Sequence, residues 1–151
     1  MIFGAGGVTS SIIYSLVKKN IKKISISNRT TKKAITLKKK FPFIEIILWK
    51  DINNKSQDAD VIINTTSLGM KNGSNFNQVI KKFKENLIYY DVVYNPLETT
   101  MLKNFKKKKI KTFNGLEMFL FQGQKSFSLW NKIMPAVNEE IKKKIMLSLK
   151  K

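Results

Sequence analysis

The chain has 151 residues, the size of one domain with its own core, and 42% of them are hydrophobic, which excludes a disordered polymer. It has no cysteine and no histidine, which excludes disulfide frameworks, thiolate zinc sites and any histidine acid, base or triad; no metal site is expected. A formal charge of +19 admits a polyanion partner, but the cations are nearly all Lys and are spread in short groups such as Lys38 to Lys40, Lys106 to Lys109 and Lys142 to Lys144. Compositional bias at exposed helix ends explains that spread better than a nucleic-acid surface, where base readout favours Arg, Asn and Gln at defined positions.

In chain order, Met1 to Phe3 is a stub of apolar strand. Val8 to Lys19 has helical spacing, Lys23 to Ser27 alternates with period two, and Thr30 to Lys40 is a helix stopped before Pro42. Phe43 to Leu48 and Ala59 to Asn64 are apolar strands, the second of the kind a parallel sheet buries on both faces. Phe76 to Phe83 is expected as a helix, Asn86 to Val93 as a strand, Glu98 to Lys107 as a helix and Lys109 to Phe113 as a short strand. Gly115 to Lys132 and Pro135 to Leu149 are expected as two long amphipathic helices. The regular alternation implies an α/β fold: a Rossmann-like, doubly wound parallel sheet with helices on both faces and a C-terminal helical pair, forming one domain over residues 1–151. No apolar run approaches the ~20 residues of a membrane span, and neither a membrane partner nor a secretory leader is expected.

Gly4-Ala5-Gly6-Gly7-Val8-Thr9 joins the first strand to the first helix and approximates the dinucleotide fingerprint, with Thr9 at its third glycine position. Gly4 allows the tight turn, and bare backbone at Gly6 lets a pyrophosphate reach the helix N-terminus; the larger Thr9 suggests a slightly looser variant. An NAD site would place a carboxylate on the ribose after the second strand, ~20 residues on. Here that strand ends in Asn28-Arg29-Thr30, with Lys33 one turn further. Arg29 can pair with a 2′-phosphate and lay its plane on the adenine, Asn28 and Thr30 can bond the same phosphate, and Lys33 adds a second cation. The bland alternative makes Arg29 one more surface cation; its presence in a chain that otherwise uses Lys favours NADP.

Ligands in open parallel sheets bind beyond the carboxyl ends of strands. Asn64-Thr65-Thr66-Ser67-Leu68-Gly69-Met70 leaves a strand there, as does Asp91-Val92-Val93-Tyr94-Asn95-Pro96. The second loop is an ordinary strand exit closed by Pro, or else Tyr94 offers its hydroxyl to a substrate. Asn114-Gly115-Leu116-Glu117-Met118 opens a helix on which Met118, Gln122 and Lys125 share a face, while Leu116, Phe119, Leu120, Phe127 and Trp130 supply apolar surface.

With these segments in this order, and with Gln122 and Trp130, the chain resembles the shikimate dehydrogenase family. The glutamyl-tRNA reductase cofactor domain has a similar glycine loop and Asn-Arg-Thr, but would not carry the Gly-Leu-x-Met, Gln and Trp pattern. The resemblance implies a cytoplasmic oxidoreductase of aromatic amino-acid biosynthesis that transfers hydride reversibly between NADPH and 3-dehydroshikimate to give shikimate; quinate-accepting relatives remain open. It further implies that Gly4, Ala5, Gly6, Gly7 and Val8 bind the pyrophosphate and that Asn28, Arg29, Thr30 and Lys33 hold the 2′-phosphate. Thr65 and Thr66 would join the cofactor site, Val92, Gly115 and Met118 would line the nicotinamide side, and Tyr94 and Gln122 would touch the substrate. The family's catalytic Lys and Asp belong to an N-terminal substrate domain of about a hundred residues, so no catalytic residue is expected in these residues, and the first strand is expected to be clipped. That domain would be supplied in cis or in trans; a stand-alone NADP-binding module, a homodimer and, last, a nucleic-acid-binding protein are the other readings.

Overall fold

The structure, a computed structural model, describes residues 1–76 and 80–149. Its strands are β1 (Ile2–Phe3), β2 (Ser25–Ser27), β3 (Glu45–Ile47), β4 (Val61–Asn64), β5 (Ile88–Asp91) and β6 (Lys111–Phe113). They form one parallel sheet in the order β3-β2-β1-β4-β5-β6, as expected for a doubly wound dinucleotide fold. The helices are α1 (Gly7–Lys18), α2 (Thr31–Lys40), the single turn α3 (Ile52–Lys55), α4 (Thr100–Lys107), α5 (Leu116–Asn131) and α6 (Glu139–Ser148).

Strand geometry sends successive side chains to opposite faces, and here both faces are apolar. Phe3 and Ile62 enter one core layer with Ile52, Leu87, Tyr89, Leu102 and Phe105. Their neighbours Ile2 and Ile63 enter the other, with Ile13, Ile26, Ala34 and Ile44. Each fully buried Ile contributes about 1.5–3 kcal/mol relative to exposure, so the two layers make the central strands the most strongly held part of the sheet.

Several expected boundaries move, for local reasons. Thr30 and Thr99 are the N-caps of α2 and α4, and the Thr99 hydroxyl accepts from the Leu102 N–H. Helix α6 begins four residues after Pro135, where the Asn138 side chain accepts from the Ile141 N–H. The exit of β5 comes early because the Asp91 side chain, not a neighbouring strand, takes the Val93 N–H at 3.1 Å. Residues 49–58, which carry no regular periodicity, form two short 3₁₀ turns around α3. The helix expected over Phe76 to Phe83 is corrected: residues 77–79 lie outside the described residues, and Ile80 to Phe83 are not helical. Ile80 instead folds into the core as part of the crossover from β4 to β5.

The lysines follow the expected pattern in part. Lys18, Lys38 to Lys40 and Lys106-Lys107 occupy last helical turns. Lys142 to Lys144 do not; they sit inside α6, where Lys142 pairs with Glu117 and Glu139 and Lys144 with Glu140. Among the described residues no helix is long and apolar enough to cross a membrane.

Candidate nucleotide-binding site

Strand β1 lies between β2 and β4, so the chain winds away from it in opposite directions and leaves a crevice at the carboxyl ends. Gly4 turns the chain there with φ +112°, and its N–H donates to the Ser27 carbonyl at 2.7 Å. A Cβ at Gly4 would stand 2.4 Å from Thr65 Oγ1, so the position is closed to any side chain. Gly6 caps α1 with no side-chain hydrogen bond, and a Cβ at Gly6 or Gly7 would meet nothing within 4 Å. With no acidic residue in its first turn, α1 presents open backbone and the positive end of its dipole to the crevice.

Thr9 is fully buried, and its hydroxyl shares a hydrogen bond of 2.8 Å with Thr65 Oγ1, which donates in turn to the Phe3 carbonyl at 2.8 Å. The third fingerprint position is therefore a polar clasp between α1 and the β4 exit, not the looser contact expected from its size.

After β2, Asn28 Nδ2 donates to the Thr30 carbonyl at 2.9 Å and so folds the turn that presents Arg29. Arg29 and Lys33 are exposed. Asn28, Arg29, Thr30 and Lys33 border a cavity of about 350 Å³ together with Gly4, Ala5 and Gly6 on one side and Thr65 to Leu68 on the other. Among the described residues its lining holds cations, hydroxyls, an amide and glycine backbone but no carboxylate. That donor set fits a phosphorylated nucleotide: a helix N-terminus for the pyrophosphate and a paired cation for a 2′-phosphate.

A buried polar network, absent from the sequence reading, fixes the two crevice loops. Asp91 is fully buried and accepts from Asn64 Nδ2 at 3.0 Å, the Val93 N–H at 3.1 Å, the Tyr89 hydroxyl at 3.1 Å and the Thr99 hydroxyl at 2.8 Å. Asn64 Oδ1 accepts from the Thr66 N–H at 3.1 Å and the Thr66 hydroxyl at 2.6 Å, and Thr66 Oγ1 accepts from the Leu68 N–H at 3.2 Å. Burial pushes the Asp91 carboxyl above its ordinary value, against the opposing pull of hydrogen bonds from Thr99, Val93, Asn64 and Tyr89. Burial, and then the Asp91 charge, pushes the Tyr89 phenol well up. The signal in the sequence was there: Asn64 and Asp91 are polar residues closing apolar strands.

The residues expected on the nicotinamide and substrate side form a separate group. A Cβ on Gly115 would come within 1.9 Å of the Val92 carbonyl oxygen, and the Gly115 N–H donates to the Val93 carbonyl at 3.1 Å. Gly115 is thus glycine because β5 and α5 press together there. Tyr94 stacks on Phe119 with centroids 4.4 Å apart and planes 20° apart. Met118 is half-buried, whereas Gln122 is exposed. Of the apolar residues expected on α5, Leu116 and Leu120 are buried, while Trp130 is 81% exposed. Val92, Tyr94, Gly115, Met118 and Gln122 are not among the residues lining the cavity, nor are Gly7 and Val8, which open and continue α1 beside it.

Comparison with known proteins finds the same fold and a family. A shikimate dehydrogenase (NADP(+)) of Pelagibacter ubique is 51% identical over 140 residues, covering 93% of this chain and 51% of the relative. The quinate dehydrogenase of Corynebacterium glutamicum in complex with NAD superposes with a TM-score of 0.84 at 25% identity, over 97% of this chain and 54% of that one. The Thermus thermophilus shikimate 5-dehydrogenase in complex with NADP(H) and shikimate gives 0.76 at 28% identity, over 89% and 49%. The chain thus spans about half the length of the curated relatives it matches. A sequence model for shikimate / quinate 5-dehydrogenase matches residues 1–96, from the glycine loop through Arg29 and the Asn64 loop to Pro96, and the chain belongs to that family.

Proposed function

We propose that residues 1–151 are the NADP-binding part of a cytoplasmic shikimate dehydrogenase, which reduces 3-dehydroshikimate with NADPH to shikimate in aromatic amino-acid biosynthesis. The observation that carries this reading is the β2 exit: Arg29, the sole arginine of the chain, borders the glycine-loop cavity with Lys33, and among the described residues the lining holds no carboxylate. When bound, the dinucleotide supplies the hydride. Gly4 to Val8 hold its pyrophosphate, Asn28 to Thr30 and Lys33 its 2′-phosphate, and Thr65 and Thr66 the wall between. Val92, Gly115 and Met118 border the nicotinamide, and Tyr94 and Gln122 face the substrate. The family's proton-transferring Lys and Asp match no position here, so turnover requires the rest of the relatives' architecture, in cis or in trans; whether the protein pairs as a homodimer bears on neither role.

The test is cofactor titration. A hydrogen bond to a charged group is worth about 1.5–3 kcal/mol, so Arg29→Asp weakens NADPH binding about 10- to 150-fold more than NADH binding, which loses no phosphate contact. Equal loss for both cofactors would remove Arg29 as the phosphate contact and reopen an NAD- or quinate-type reading. Shikimate oxidation by the 151-residue chain alone would refute the division of labour.

A further inference from the structure

We propose that Trp49 is an adenine-recognition residue, its indole forming one wall of the subsite where the purine base lies against the Arg29 guanidinium. The inference rests on the NADP reading above and adds a residue that neither the glycine fingerprint nor the β2 exit contains. Trp49 opens the turn two residues after the end of β3, the strand beside β2, and it lines the same cavity as Arg29, Thr30 and Lys33.

The indole is held from behind. It meets the fully buried Phe3 edge-on, with centroids 6.2 Å apart and planes at 75°, and packs on Phe76 at 5.5 Å. Phe3 and Phe76 lie 5.4 Å from one another and complete the aromatic floor. A tryptophan that served only the core would be closed over; this one is half-buried and contributes to the cavity wall. The remaining walls are built from cations, hydroxyls and bare backbone, which suit phosphates and ribose. The aromatic wall suits the one part of the ligand with an uncharged π-face. A ring fixed by its neighbours loses little freedom on stacking, and a guanidinium opposite it stacks on the other face of a purine.

The chain has two tryptophans, Trp49 and Trp130, and Trp130 is 81% exposed and not part of the cavity lining. In Trp130→Phe, tryptophan emission reports Trp49 alone. Adenosine 2′,5′-bisphosphate, which carries the base and the 2′-phosphate but no nicotinamide, is expected to quench that emission saturably. Trp49→Ala is expected to weaken its binding roughly 5- to 150-fold, as removal of a base-stacking aromatic does, and Trp49→Phe to recover most of the loss. Inorganic pyrophosphate, a probe of the glycine loop alone, should bind wild type and Trp49→Ala equally; a merely structural Trp49 would weaken both ligands together. If Trp49→Ala does not fold, quenching in Trp130→Phe and the affinity of Trp49→Phe decide. Calorimetric binding of the bisphosphate with no change in Trp49 emission, or with equal affinity in Trp49→Ala, overturns the inference and leaves the NADP reading standing. Failure of the wild-type chain to bind either NADPH or the bisphosphate overturns both.

Discussion

Replacing Asp91 by Ala removes the acceptor for four buried donors at once: Asn64 Nδ2, the Val93 N–H and the Tyr89 and Thr99 hydroxyls. A buried donor left unpaired costs about 1–3 kcal/mol; the two hydroxyls can turn toward other partners, and deleting the carboxylate also relieves its own desolvation. The net expectation is a loss of about 3 kcal/mol. Asp91→Asn keeps one oxygen for Asn64 and Val93, both of which use the same carboxylate oxygen, and its amide can donate to hydroxyls able to rotate; about 1 kcal/mol is expected. Urea unfolding measures both, and against a typical total of about 5–15 kcal/mol the Ala variant stays measurable. The pH dependence follows from the sign of the shift. A carboxyl whose folded pKa lies above its unfolded value near 3.8 contributes most stability below that value and loses the contribution as pH rises through the folded pKa. Wild type therefore loses stability over that window relative to Asp91→Asn, which cannot titrate. A cost for Asp91→Ala below about 1 kcal/mol, or equal costs for Ala and Asn, would refute the view that the network is fully satisfied by the carboxylate.

Gly115→Ala places a methyl 1.9 Å from the Val92 oxygen and 2.5 Å from its carbonyl carbon, backbone atoms that cannot swing aside. A loss above about 3 kcal/mol, or failure to fold, is expected by thermal melting, whereas Gly123→Ala, with open space in mid-helix α5, should gain about 0.5–1 kcal/mol. Thr9→Val keeps the shape of the buried side chain but breaks the clasp to Thr65, and denaturant titration should show a loss of about 1 kcal/mol; no loss would make the contact one of packing alone. Lys142, with a side chain 23% exposed, bonds Glu117 on α5 and Glu139 on α6 at 3.1 Å each. Lys142→Met should cost about 0.5–1 kcal/mol at low salt, and the difference should shrink near 1 M salt; a salt-independent difference would assign the effect to the alkyl stem.

What could be read from the residues followed from their physics. The strands β1, β4 and β5 were legible because burial on both faces demands continuous apolar runs; β5 ends early where the Asp91 side chain takes the Val93 N–H, and β4 and β5 start late after backbone turns that bond Ala59 to Ser56 and Leu87 to Lys84. Gly4 and Gly6 were legible because few other needs place bare backbone between a strand and a helix, and Arg29 because a carboxylate would otherwise stand in its region. Residues 49–58 were not, since turns of three and four residues leave no period to detect. The Asn64–Asp91 bond depends on the register that sets these residues side by side in β4 and β5, 27 positions apart in the chain. Trp49 is hidden in the same way: its place beside Arg29 exists only because β3 pairs with β2.

The Thr66–Asn64–Asp91–Thr99 chain of hydrogen bonds also has a consequence for motion. The amides of Thr66, Leu68, Val93 and Leu102 all donate to side chains of this one network. Opening either crevice loop strips partners from the same buried carboxamide and carboxylate, so neither loop opens cheaply without the other. These four amides should therefore exchange with solvent as one cooperative unit, at a free energy common to both loops, with the floor of the crevice behaving as a single hinge-free plate.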